Sequence, residues 1–133
     1  MNKIKKNICD RQKIKEMLSD VAGRHNRFGD RFYTLKISIG SLQSINKKAG
    51  YDKGDEIINE LGCLLTDLAS TVDIVGRWKN CEYIIIMPEI QVNDVLKNIE
   101  YIKKNIIDHF VSYVDLVFSF SVKKYVNENL VVF

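Results

Sequence analysis

The sequence predicts an α+β domain: one central, mostly antiparallel sheet with a β-hairpin, and helices packed against it. Three observations carry this. Residues 73–88 run from an apolar strand through a polar tip into a second apolar strand, and a hairpin requires antiparallel pairing. Three stretches place apolar residues at helical spacing. Two further runs, 32–39 and 114–122, are rich in aromatic and branched residues and read as strands. A chain of 133 residues holding both patterns forms one domain, residues 1–133, in which sheet and helices bury each other's apolar faces.

Taken in order, Ile14, Met17, Leu18 and Val21 mark an amphipathic helix over about 10–27, ended by Phe28-Gly29-Asp30. The strand 32–39 follows. Residues 41–48 predict a short helix closed by Gly50. A turn at Tyr51-Asp52-Lys53-Gly54 then precedes a longer helix, about 55–70, with Asp55 as a candidate N-cap. Ile57, Ile58, Leu61, Leu64, Leu65 and Leu68 form its apolar stripe, and Cys63 is expected in the core. The hairpin strands fall near 73–78 and 82–87, and Pro88 stops the second. Val92, Val95, Leu96, Ile99, Ile102 and Ile106 predict a helix over about 91–109, before the strand at 114–122. The element order is α-β-α-α-β-β-α-β.

Composition narrows the function. Apolar residues make up 46% and charged residues 28%, with a net charge of +3, an ordinary balance for a globular domain. The basic residues are dispersed, without the stripe that tracks a phosphate backbone, so nucleic acid is not an expected partner. No apolar run reaches the ~18 residues of a membrane segment. Cys9, Cys63 and Cys81 form neither a disulfide framework nor a zinc-ligand spacing, which fits a reducing cytoplasm. His25 and His109 lie toward helix ends and read as surface residues, and Trp78 and Tyr83, flanking the hairpin tip, as packing residues.

Two segments resemble the GGDEF family, the diguanylate cyclases that join two GTP molecules into cyclic di-GMP. One is Ile45-Asn46-Lys-Lys-Ala-Gly50-Tyr51-Asp-Lys-Gly54-Asp55-Glu56-Ile57-Ile58, similar to the family's I-N-D-x-x-G-H-x-x-G-D-x-x-L. The other is residues 73–88, similar to D-x-x-x-R-x-G-G-D-E-F followed by an apolar strand and proline. The resemblance covers about residues 10–123, with Phe118-Ser119-Phe120-Ser121-Val122 where the family carries T-x-S-x-G. It implies the palm-like fold of nucleotidyl cyclases. It also implies a domain C-terminally truncated relative to the family, since nothing after Val122 matches the closing helix.

The departures bear on chemistry. The signature position reads Lys79-Asn80-Cys81-Glu82-Tyr83. By the resemblance, the two family positions that hold metal are Ser38 and Cys81, and neither is a carboxylate. Magnesium takes hard oxygen ligands, and a thiol favours softer ions. Lys79 and Asn80 replace glycines that let a phosphate approach the backbone. Ser70-Thr71-Val72-Asp73 lacks the arginine of the family's product-inhibition motif R-x-x-D. What persists is Asn46 and Asp55, matching residues that read guanine in the family; Glu82, matching the glutamate beside ribose and metal; and Arg77.

The resemblance therefore implies a degenerate GGDEF domain. No catalytic residue is expected at the signature and no cofactor, with magnesium only if residual nucleotide binding survives at Asn46, Asp55 and Glu82. The expected role is a catalytically inactive regulatory or protein-interaction module in cyclic di-GMP-related signalling, cytoplasmic, with a protein partner or self-association. The alternatives are a GTP-binding receptor domain, or residual cyclase or nucleotide-hydrolysing activity. As a plainer reading, Glu82 is a solvated carboxylate at a hairpin tip.

Overall fold

The computed structural model describes residues 8–28, 32–40, 51–70, 72–79, 81–88, 92–113, 116–126 and 129–132. The elements are α1 (Arg11–Phe28), β1 (Phe32–Ile39), α2 (Tyr51–Leu68), β2 (Ile74–Lys79), β3 (Glu82–Pro88), α3 (Val92–His109), β4 (Phe118–Val126) and β5 (Asn129–Val132). The strands form one sheet in the order β2-β3-β1-β4-β5, and every neighbouring pair is antiparallel. The expected α+β architecture with its hairpin is the one that forms. The short helix expected at 41–48, and Asn46 within it, lie outside the described residues.

Strand parity sorts the core, because alternate side chains leave a strand on opposite faces. Tyr33, Leu35, Ile37 and Ile39 of β1, with Tyr83, Ile85 and Met87 of β3, pack under the apolar stripes of α2 and α3. That is the larger cluster, and it includes Ile57, Leu61, Leu65, Val95, Ile102 and Ile106. The opposite parity, Phe32, Ile84 and Ile86, packs against Ile14, Met17, Leu18 and Val21 of α1. Fully burying one such aliphatic side chain is worth about 1.5–3 kcal/mol, so both faces contribute to stability.

Docking of α1 is local and specific. The Asp10 carboxylate accepts a 2.8 Å hydrogen bond from the Lys13 backbone N–H, an N-cap for the helix. Cys9 bridges the edge of β2 on either side of Gly76: Cys9 N–H donates to Val75 O at 2.9 Å, and Arg77 N–H donates to Cys9 O at 2.8 Å. Ile14 is fully buried over Gly76. A Cβ at Gly76 would collide with Ile14 Cγ1 and Cδ1, so this residue lets the helix lie flat on the strand.

Four sequence expectations are corrected. The long helix begins at Tyr51, so Asp55 lies within it and is not its N-cap. Lys53 holds the extra turn in place: its ammonium is 3.4 Å from Glu56 and 3.4 Å from the Tyr113 hydroxyl. Cys63 is exposed; the neighbouring Gly62 takes the buried position, where its missing side chain makes room for Tyr83. The last predicted strand starts at Phe118 and runs to Val126. Tight turns bring Tyr113 N–H to Phe110 O and Leu116 N–H to Tyr113 O, and Leu116 packs on the core instead of joining the ladder. The chain beyond Val122 keeps pairing, with Lys123 opposite Thr34 and Tyr125 opposite Phe32. Glu82 is the fourth and belongs to the site.

Candidate functional site

On the face of the sheet away from α2 and α3, α1 packs over β2 and over Phe32, Ile84 and Ile86 of β1 and β3. Toward the β2–β3 hairpin tip that face carries polar residues in registered rows. Ser119, Ser38 and Glu82 form one row, Ser121, Lys36 and Ile84 the next, and Lys123, Thr34 and Ile86 the third. The residues singled out in the sequence as a metal position and a ribose position, Ser38 and Glu82, are thus directly opposed on neighbouring strands.

They are bonded. Ser38 Oγ donates to Glu82 Oε2 at 2.8 Å. The Lys36 ammonium lies 4.0 Å from the same oxygen. The Glu82 side chain is only 15% exposed, which corrects the reading of a solvated tip carboxylate: the pairing with β1 draws it onto the sheet. Its second oxygen, Oε1, is buried without a hydrogen-bond partner among the described residues. Strand parity puts residues 36, 38 and 82 on one face; no motif in the sequence marks Lys36.

Cys81 goes elsewhere. It is half-buried and packs against the main core under α2 and α3, while its carbonyl accepts a 3.0 Å hydrogen bond from Ile39 N–H. Ser38 and Cys81 are therefore not brought together as a pair of side chains. Lys79 is exposed beside a register shift between Arg77 and Lys79, and Asn80 lies outside the described residues. Arg77 turns its guanidinium over the Tyr83 ring, 5.3 Å from the centroid, and donates from Nε to Lys79 O at 3.2 Å.

Tyr83 is structural, as expected from its place beside the tip. It is buried, and its hydroxyl donates to Ile58 O at 2.8 Å. Burial pushes its phenol pKa up, against a smaller lowering by Arg77. Trp78 packs with the α1 cluster beneath the Arg11 guanidinium, 5.1 Å from the ring centroid. Asp55 is exposed on α2, and with Asn46 outside the described residues the guanine-reading pair is not placed. Asp73 is buried and accepts from Ser70 N–H at 3.2 Å, closing the turn into β2. Among the described residues, no three or more His, Cys, Asp or Glu side chains are grouped so as to hold a metal ion. No helix among them is long and apolar enough to cross a membrane.

The sequence from residue 7 to residue 117 matches the family model described as diguanylate cyclase, GGDEF domain. The chain belongs to the GGDEF family. Two relatives are similar to this GGDEF domain in sequence. The response regulator PleD of Caulobacter vibrioides is 28% identical over 99 residues, which is 74% of this chain and 22% of PleD. A diguanylate cyclase of Vibrio cholerae is 26% identical over 102 residues, 77% of this chain and 32% of the relative. The chain thus spans a third or less of the length of either.

Solved structures agree on the fold. The active GGEEF domain of a Vibrio cholerae diguanylate cyclase superposes with a TM-score of 0.80 at 23% identity, covering 92% of this chain and 80% of that one. The GGDEF domain of DgcB from Caulobacter crescentus, in complex with c-di-GMP, gives 0.80 at 14% identity over 93% and 77%. The Pseudomonas aeruginosa diguanylate cyclase SiaD, in complex with its activator SiaC, gives 0.78 at 17% identity over 90% and 48%. This GGDEF domain has the palm-like α+β fold.

Proposed function

We propose that this GGDEF domain is catalytically inactive and serves as a cytoplasmic regulatory or protein-interaction module in cyclic di-GMP-related signalling. The Ser38–Glu82 hydrogen bond carries the reading. At the position where the family resemblance calls for a metal-binding carboxylate, a serine hydroxyl spends its proton on the neighbouring glutamate, and Lys36 adds a positive charge beside it. Among the described residues, a cation there meets the Glu82 carboxylate and the Lys36 ammonium, while Cys81 packs into the core. Mg²⁺ needs near-octahedral oxygen coordination, and these donors do not fit it. Without the ion, charge developing on a transferred phosphoryl group goes uncompensated.

A module of this kind acts through a protein partner or a second copy of itself. The likeness to SiaD, solved with an activator protein, supports the former. The test is incubation with GTP and Mg²⁺ or Mn²⁺, with chromatographic detection of cyclic di-GMP. No product above a protein-free control is expected. Product that appears with the parent and vanishes in Glu82→Gln overturns the reading.

One observation favours a second reading, a GTP-binding receptor domain. Asp55 is not consumed as a helix cap, and its side chain stands exposed on α2. A carboxylate in that position accepts hydrogen bonds from a purine's N–H groups. Calorimetric titration with GTP separates the two: no heat at millimolar nucleotide, or the same heat from Asp55→Ala, removes the receptor reading.

A further inference from the structure

We propose that a small cavity between α1 and the open sheet face binds a small aromatic acid, a carboxylate or phosphate carried on a single ring. The cavity has a volume of about 130 Å³. That is well below the roughly 300–1,000 Å³ of pockets for drug-sized ligands, and about tenfold the minimum for one water. One side is cationic and hydroxylic, with Lys36, Lys123 and Ser121; the other is apolar, with Trp78, Ile84 and Leu18. Ligand pockets commonly combine an apolar wall with a few placed polar groups in this way.

The register explains why an anion belongs there. Ser121 lies directly opposite Lys36, and Lys123 is two residues further along β4, opposite Thr34. Lys36 and Lys123 are therefore diagonal neighbours, roughly 7–8 Å apart at their backbones and within reach of long side chains. Both are half-buried, and like charges so placed repel. Glu82 offsets Lys36 at 4.0 Å, whereas Lys123 forms no ion pair among the described residues. Among the described residues this leaves one positive charge at the cavity wall, with the Ser121 hydroxyl beside it. An anionic group over Ser121 accepts from both ammoniums and the hydroxyl, as charge-assisted bonds, and the attached ring lies against Trp78 and Ile84.

The family resemblance does not supply this site. Lys123 lies just past residues 118–122, which carry the T-x-S-x-G resemblance, so the lysine is outside the matched motif. The site also does not depend on whether the domain makes cyclic di-GMP, because the readout is binding alone.

Trp78 is the chain's only tryptophan, so its fluorescence reports occupancy. Titration with benzoate and with phenyl phosphate is expected to give a saturable change, with benzyl alcohol, which lacks the charge, giving none. Lys123→Ala is expected to weaken binding about tenfold, the loss of one charge-assisted hydrogen bond, while the exposed-surface control Lys97→Ala binds as the parent does. Arg11→Ala checks the outer groove, because Arg11 also touches Trp78 but does not line this cavity. No saturable change with either acid at tens of millimolar overturns the proposal. So does equal response to benzyl alcohol, or weakening by Arg11→Ala and not by Lys123→Ala. If Lys123→Ala melts early, Lys123→Gln gives the same comparison, and added salt is expected to weaken the parent's binding.

Discussion

Ser38 and Glu82 face each other across β1 and β3, and the Ser38 hydroxyl donates to Glu82 Oε2 at 2.8 Å. The bond commits the one acidic side chain of the tip that reaches the open face. It also ties the hairpin end to the central strand, with Lys36 in support at 4.0 Å.

Replacing Ser38 by Asp tests that commitment. A second carboxylate opposite a Glu82 that is only 15% exposed removes the hydrogen bond and sets two like charges together. The expected loss is about 1–3 kcal/mol, the scale of a hydrogen bond to a charged group, or roughly 4–10 °C in Tm for a domain of this size. Millimolar Mg²⁺ is expected to restore part of that loss in Ser38→Asp and to leave the parent unmoved. Melting curves with Mg²⁺ and with EDTA read both, and a parent stabilised by Mg²⁺ as strongly as the variant contradicts the geometry.

Much of the fold was legible because its signals are periodic. The stripe Ile57, Ile58, Leu61 and Leu65 is buried as its spacing demands, and the hairpin pairs Val75 with Ile85 as its two apolar runs require. What was not legible depended on contacts between distant segments. Tyr51-Asp52-Lys53-Gly54 reads locally as a turn, whereas in the helix Lys53 meets Tyr113, 60 residues on, as well as the nearby Glu56. Cys63 looked like core, but Gly62 occupies the inward position because Tyr83 needs the space. In the site, the residue types were visible and their partnership was not. Ser38 and Glu82 are 44 residues apart, and only the register shows that the serine acts on the glutamate.

Gly62 and Tyr83 are a second coupled pair. A Cβ at Gly62 would lie 2.5 Å from the Tyr83 hydroxyl oxygen and 2.9 Å from Ile8 Cδ1. The hydroxyl cannot swing away, since it is buried and bonded to Ile58 O. Gly62→Ala in a helix would ordinarily gain up to about 1 kcal/mol; here overpacking is expected to reverse the sign and cost about 1–3 kcal/mol. Tyr83→Phe alone is expected to cost about 1–2 kcal/mol from the lost buried hydrogen bond. In a double-mutant cycle by urea denaturation, Gly62→Ala is expected to cost less in the Tyr83→Phe background. Strict additivity contradicts the contact.

Gly76→Ala addresses α1. The added methyl meets Ile14, which is fully buried, and lies 3.1 Å from Cys9 O. The helix must lift off β2, at a cost of about 1–3 kcal/mol. Because Trp78 packs in the same cluster, the expected signature is a red-shifted Trp78 emission together with faster proteolysis within residues 11–28, while the sheet core stays protected from hydrogen exchange. An unchanged emission spectrum and cleavage rate contradicts the docking.

The Tyr83 phenol makes stability depend on alkaline pH. Burial raises its pKa in the folded state above the usual value near 10. The folded chain therefore holds this proton more tightly than the unfolded chain does. The stabilisation is complete below the unfolded pKa and declines as pH rises through the folded one. Unfolding free energies of the parent and of Tyr83→Phe, measured from pH 8 to pH 11, are expected to differ by a constant amount below about pH 9.5 and to converge above it. Other tyrosines and lysines titrate in both proteins and cancel in the difference. A gap that stays constant or widens with pH contradicts a buried phenol at this position.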